Sequence, residues 1–220
     1  MKKIFLSAIC LLLVAGSVSA QRRYARAPRN NNSRSYTDFY GPKIGLKIGA
    51  SVANQTSSGY NNYSTGSILG LNAGLTLDLP IIYPLSFAPE VLYSQKGYEA
   101  TTVNGIYTER THYIDVPLLA KIKVAPTFNV VVGPQLSYLV STTNTYDDGF
   151  VTSTEHYYED NAGHKSYLGG VVGISFDINR SVDVHARYTI DLQKTDYRGN
   201  TYAPNYRNQV WQFGLGFKLN

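Results

Sequence analysis

From Lys43 onward, apolar and polar residues alternate with period two, the pattern of strands that turn one face to an apolar environment and the other to a polar one. The first segment sets Ile44, Leu46, Ile48, Ala50 and Val52 against Lys43, Gly45, Lys47, Gly49 and Ser51. The second sets Leu69, Leu71, Ala73, Leu75, Leu77 and Leu79 against Gly70, Asn72, Gly74, Thr76 and Asp78. Six further segments keep a recognisable apolar face. In two of them Leu85, Phe87, Val91 and Tyr93 oppose Ser86, Ala88, Glu90, Ser94 and Lys96, and Ile114, Val116, Leu118, Ala120, Ile122 and Val124 oppose Tyr113, Asp115, Lys121 and Lys123. In the next two, Phe128, Val130, Val132, Leu136, Tyr138 and Val140 oppose Asn129, Gly133, Gln135, Ser137 and Ser141, and Leu168, Val172, Ile174, Phe176 and Ile178 oppose Gly169, Gly173, Ser175 and Asp177. In the last two, Val182, Val184, Ala186, Tyr188, Ile190 and Leu192 oppose Asp183, His185, Arg187, Thr189 and Asp191, and Trp211, Phe213, Leu215, Phe217 and Leu219 oppose Gln212, Gly214, Gly216 and Lys218. The pattern predicts eight strands.

The connections alternate in length. Strands two and three are joined near Pro80 to Pro84, four and five by Ala125-Pro126-Thr127, six and seven by Asn179-Arg180-Ser181. The other four are longer: Asn54 to Thr65, Gly97 to about Thr108, Thr142 to His164, and Gln193 to Asn205. Short turns on one rim and long loops on the other, with an even strand count, predict an all-β fold: an eight-stranded antiparallel transmembrane up-and-down β-barrel with both ends on the short-turn, periplasmic rim.

The charges decide which face is outside. One face is apolar in all eight segments, while the other carries Lys47, Asp78, Glu90, Asp115, Lys121, Lys123, Asp183, His185, Arg187, Asp191 and Lys218. A soluble barrel keeps its apolar face inside and shows water the polar one, whereas burying so many charges in a soluble protein's only core is expensive. A lipid-facing apolar wall removes the conflict, because the closed ladder satisfies the backbone and the charges pair across the lumen. The chain has 19 tyrosines, and Tyr83, Tyr93, Tyr138, Tyr188 and Trp211 stand where an interfacial girdle belongs. Gly45, Gly49, Gly70, Gly74, Gly133, Gly169, Gly173, Gly214 and Gly216 fall on the inner face, where a narrow lumen leaves little room.

The front of the chain has a different composition. Lys2 and Lys3, an apolar run from Ile4 to Ala15 and small residues up to Ala20 have the order of a secretory signal peptide, residues 1–20, cleaved after Ala20. The only cysteine, Cys10, lies inside that run, so the exported chain has no thiol. Residues 21–40 form a basic periplasmic arm with Arg22, Arg23, Arg26, Arg29 and Arg34, whose composition is that of a disordered linker. The outer-membrane β-barrel domain covers 41–220. From Gly41 onward 8 Lys and 5 Arg meet 14 Asp and Glu, so the formal charge of +5 resides in the leader and the arm.

The segments Pro89-Glu90-Val91-Leu92-Tyr93-Ser94-Gln95-Lys96-Gly97, Tyr113-Ile114-Asp115-Val116-Pro117-Leu118-Leu119-Ala120-Lys121, Gly133-Pro134-Gln135-Leu136-Ser137-Tyr138 and Ala186-Arg187-Tyr188 are carried in a chain that resembles the outer-membrane β-barrel proteins labelled porin family or PorT-like. The resemblance runs from Lys43 to the end. It implies residence in the bacterial outer membrane and a barrel of about this strand number, and it brings no catalytic residues. Barrels of this kind often end on an aromatic residue read by the insertion machinery; here the last aromatics are Phe213 and Phe217.

Candidate chemistry is sparse. Eight strands enclose a lumen that side chains fill, which argues against a general diffusion pore and leaves a narrow solute channel as the alternative. A lipid-acting enzyme needs a Ser nucleophile, a His base and an orienting acid; the lipid face has neither Ser nor His, and His185 with Asp183 and Asp191 reads more simply as an internal ion pair. Asp147, Asp148, Glu155, His156, Glu159, Asp160 and His164 supply metal-ligand chemistry in the longest loop, but without the spacing of a known site. Tyr146, Tyr157, Tyr158 and the run Ser57 to Tyr63 suit surface recognition or are ordinary loop composition. The expectation is therefore a non-enzymatic barrel with no catalytic, metal or cofactor site. Its expected partners are outer-membrane lipid and lipopolysaccharide, the barrel insertion machinery and an envelope protein, and nucleic acid is not among them.

Overall fold

A computed structural model describes residues 41–57, 64–102, 105–147, 149–158, 166–192 and 206–219. The expected signal peptide and basic arm lie outside the described residues. Nine antiparallel strands form one sheet: β1 (Lys43–Ser57), β2 (Ser64–Ile82), β3 (Leu85–Thr102), β4 (Gly105–Lys123), β5 (Phe128–Asp147), β6 (Thr152–Tyr158), β7 (Ser166–Asp177), β8 (Val182–Asp191) and β9 (Tyr206–Leu219). Pairing of β1 with β9, and of β4 with β5, closes the sheet into a ring.

The ring nevertheless has eight staves. The first part of β5, Phe128 to Tyr138, pairs with β7, and the last part, Ser141 to Asp147, pairs with β6. β6 and β7 thus occupy one position in succession along the same edge of β5. The eight-stranded expectation holds for the closed ring, with one stave in two pieces.

Strand extends into two of the expected long loops. β3 continues to Thr102 and β4 begins at Gly105, while β5 runs to Asp147 and folds back as β6. A tilted strand crosses the hydrocarbon in about nine to eleven residues. β7 and β8 have 12 and 10, whereas β2, β3, β4 and β5 have 19, 18, 19 and 20. The excess rises on the rim opposite the short turns as a wall, adding roughly 25 Å along each strand at about 3.3 Å per residue. Its residues are Thr- and Tyr-rich, as in Thr108, Thr111, Thr142, Thr143, Thr145, Tyr98 and Tyr107, types that suit a pleated sheet without an apolar face.

A bulge shifts one expected position. His112 pairs with Ser141 and Tyr113 with Leu139, so Val140 is an extra residue on β5. Beyond it the parity inverts: Thr142 is buried inside, and Ser141, expected on the lumen face, turns outward with His112.

The outer surface of the ring is apolar to a degree no soluble monomer tolerates. Leu69 is 71% exposed, Leu71 64%, Trp211 52% and Ile48 51%, and the belt continues through Leu118, Leu136, Val172, Val184 and Phe213. Tyr188 and Trp211 are in ring contact at 4.9 Å, and Tyr93 and Tyr138 share their rim, as the girdle expectation requires. Inside, Ala88, Leu119, Val131 and Val171 form a small apolar cluster among the polar lumen residues.

Candidate functional site

The lumen is filled by paired charges. At its centre Glu90 of β3 accepts from Lys47 of β1 through Oε1 and from Arg187 Nη1 of β8 through Oε2 at 2.6 Å. Arg187 Nε also donates to Gln212 Oε1 of β9 at 2.5 Å. Since β3 and β8 stand apart in the ring, with β2, β1 and β9 between them, the pair bridges the lumen. Arg187 and Glu90 side chains are only 2% and 3% exposed.

Further pairs lie toward the short-turn rim. Lys121 donates to Asp78 at 2.7 Å, and Lys218 donates to Asp177 at 2.5 Å and approaches Asp183 at 3.5 Å. Lys43 and Lys123 add positive charge on the same face nearer the rim, while Lys47, Lys121, Arg187 and Lys218 are matched by Asp78, Glu90, Asp177 and Asp183. Glycines of β9 make it possible: Gly216 pairs with Asp183, and a Cβ there would lie 2.6 Å from the Asp183 carboxylate. Among the described residues a cavity of about 50 Å³ is bordered by Thr76, Asp78, Lys121, Ser175 and His185.

Toward the raised rim the filling changes. Lys96 is fully buried, donates to Asp115 Oδ1 and Ser137 Oγ at 3.1 Å each, and lies 4.6 Å above the Tyr113 ring. Tyr113 meets Tyr167 edge to face, and Tyr98 packs against Tyr107. Asp191 accepts from Asn208 at 2.8 Å.

The residues weighed for catalysis are therefore not assembled as a triad. His185 Nδ1 lies 3.8 Å from Asp183 Oδ1, beyond hydrogen-bond length. Asp191 is engaged elsewhere, and no side chain among the described residues hydrogen-bonds either ring nitrogen of His185. The metal-ligand expectation divides. Glu155 pairs with Asn144 on the inner face of β6 while His156 pairs with Thr143 on the outer face, so the two cannot share an ion. Asp148, Glu159, Asp160 and His164 lie outside the described residues, and no group of three His, Cys, Asp or Glu suited to a metal occurs among the described ones.

The raised wall carries a cluster that sequence reasoning did not assemble. The Tyr93 hydroxyl and His112 Nδ1 are 2.6 Å apart, with the rings stacked at 5.8 Å. Arg110, two residues above His112 on β4, is exposed, and it shares a register row with Thr143 of β5 and His156 of β6. Thr143 Oγ1 and His156 Nδ1 are 3.0 Å apart. In this part of β4, beyond the apolar belt, partial burial together with the neighbouring charges of Arg110 and His156 holds His112 below the usual histidine range. Only strand register brings these residues together, and the segments 97–108 and 142–164 have no period-two pattern that gives it. At the top of the wall Asp147 caps the β5–β6 turn by accepting from Gly149 N at 2.8 Å, and Phe150 at the tip is 98% exposed.

A family comparison agrees with this architecture. A family model described as "Outer membrane protein beta-barrel domain" matches residues 30–197. Ail, the attachment invasion locus protein of Yersinia pestis, solved in complex with the heparin analogue sucrose octasulfate, is 12% identical. It aligns over 81% of this chain and 99% of its own with a TM-score of 0.49. Neisserial surface protein A is 19% identical over 81% of this chain and 99% of its own, TM-score 0.47. OprG from Pseudomonas aeruginosa is 10% identical over 82% and 97%, TM-score 0.41. No curated protein matches the sequence.

Proposed function

Because the chain belongs to the outer membrane protein β-barrel domain family, we propose that it is a sealed, non-enzymatic barrel whose raised wall presents a binding surface to an envelope or surface partner. Within the family we assign it to the porin-family or PorT-like barrels on the segments around Glu90, Asp115 and Gly133, with support of secretion as its concrete role. Export by the leader ending at Ala20 and delivery to the barrel insertion machinery through Phe213 and Phe217 belong to the same proposal.

The observation that carries the sealed reading is the Lys47–Glu90–Arg187 bridge across the lumen. Desolvated ion pairs of this kind are costly to separate, because each charge left behind has no solvent. The strand length beyond the crossing supports the second half of the reading, since a barrel needs no such wall merely to sit in a bilayer.

A narrow channel is the competing reading, and it is favoured by Asn72, Ser94, Gln135 and Thr189, which line the mid-lumen with buried polar atoms suited to water. The test is conductance in planar bilayers, using protein purified from outer membranes with Gln21 as its first residue. The wild type passes no steady current above the bare bilayer, while Glu90→Ala with Arg187→Ala opens a measurable one. A steady current through the wild type overturns the sealed reading in favour of the channel.

A further inference from the structure

We propose that Arg110, His112 and His156 form a site on the outer face of the wall for the phosphate-bearing headgroup of an outer-leaflet lipid. The inference rests on the outer-membrane placement and is independent of whether the lumen conducts.

Three observations carry it. The first is height. The apolar belt ends on β3 and β4 at the register partners Tyr93 and Ile114, and on β5 at Tyr138 and the bulged Val140 just beneath the row of His112. His112 and Arg110 lie two and four residues further along β4, which on a strand tilted by about 45° is a rise of roughly 5 and 9 Å. A headgroup layer is about 5–8 Å thick on each side of the hydrocarbon, so the two side chains straddle it. Tyr93, with its ring at the belt edge and its hydroxyl on His112, marks that boundary chemically.

The second is charge. Among the described outward-facing residues, Gln95, His112, Ser141, Arg110, Thr143 and Arg207 stand within the first two positions above the belt, and none is a carboxylate. Glu99 and Asp147 face outward only higher up, in the rows of Thr108 and Ile106. The acid-free zone thus coincides with the depth at which lipid phosphates lie.

The third is the chemistry of the donors. When the Tyr93 and Thr143 hydroxyls donate to Nδ1 of His112 and His156, each neutral ring carries its remaining proton on Nε2, as a donor. Both histidines therefore offer an N–H to an anion even uncharged, and two N–H groups once protonation releases the hydroxyls. The Arg110 side chain makes no hydrogen bond or ion pair among the described residues and adds the planar fork that matches phosphate oxygens in pairs. Arg110 and His156 are separated by one strand, about 10 Å between backbones, which one headgroup spans.

The test is thermal. Wild type, the triple variant Arg110→Gln, His112→Gln, His156→Gln and the control Arg180→Gln are refolded into phosphatidylcholine vesicles, with and without a minor fraction of diphosphoryl lipid A or of its dephosphorylated form. The midpoint of the heat-modifiable gel transition is then read. The expected result is a rise of several degrees for the wild type and the control with diphosphoryl lipid A only, and loss of at least half of it in the triple variant. Equal rises in wild type and triple variant, or an equal loss in the control, overturn the site. If inorganic phosphate in pure phosphatidylcholine reproduces the rise, the ligand is a soluble anion and the lipid assignment falls. Failure of all three chains to fold in any vesicle would instead overturn the membrane barrel itself.

Discussion

Strands β4 and β8 belong to one ring, yet one has 19 residues and the other 10. β8 is little more than a membrane crossing: its apolar face meets lipid, and its inner face carries Asp183, His185, Arg187 and Asp191 into the lumen. β4 makes the same crossing with Ile114 to Ile122 and then continues through the polar Arg110 and Thr108 to Ile106. The difference separates two kinds of cohesion. The ring combines a closed backbone ladder with charges that have exchanged water for one another. The wall depends on its ladder and on cross-strand side-chain pairs, each contributing about 0.2–1 kcal/mol.

The largest expected effect breaks the ring's side of this contrast. Arg187→Ala leaves Glu90 buried with only Lys47 and should destabilise the refolded barrel by about 3–5 kcal/mol, measured by urea titration in lipid vesicles. The double variant Glu90→Gln, Arg187→Met, which leaves no net charge stranded beyond Lys47, should recover a substantial part of the loss. No recovery would mean that the network acts through packing and not through its charges.

An intermediate effect tests the wall. Replacing residues 144–155, the outer part of the β5–β6 hairpin, by a short Gly-Asn turn removes the tip with Phe150 but no lumen contact of the lower half. The ring should fold and insert with stability within about 1 kcal/mol of the parent, as exposed cross-strand pairs predict. Partner binding should be lost. If the shortened chain no longer gives a heat-modifiable band, the wall is part of the folding unit and the division proposed here is wrong.

This division also explains what was legible in the sequence. Period two showed the ring because lipid outside and polar lumen inside give each face a different composition, as in Ile44–Val52 against Lys43–Ser51. That same contrast vanishes above the membrane, where Thr108, Arg110 and His112 on one face of β4 alternate with Tyr107, Glu109 and Thr111 on the other. Neither face carries an apolar run there, so period two gives no strand signal. The bulge at Val140 was hidden for a related reason: Ser141 and Thr142 are alike in polarity, and inverting their parity changes nothing in the pattern. The ion-pair partners were foreseeable as a set but not pairwise, since Glu90 and Arg187 meet only through ring closure.

The smallest expected effect lies at the seam between the two regions. Tyr93→Phe removes the hydroxyl on His112 Nδ1 while keeping the stacked ring. An exposed hydrogen bond contributes about 0.5–1.5 kcal/mol, so global stability should shift by no more than that in urea titration. The sharper readout is pH. Partial burial, with Arg110 and His156 beside it, holds His112 below the usual histidine range, and a bound phosphate acts in the opposite sense by favouring its charged form. Stabilisation by diphosphoryl lipid A should therefore grow as pH falls through the histidine range, because the proton taken up on binding is then freely supplied. Losing the Tyr93 hydroxyl frees Nδ1 for that proton and should move the rise toward higher pH. A lipid effect flat across this range in both proteins would assign the headgroup contact to Arg110 alone and reduce the two histidines to bystanders on the wall.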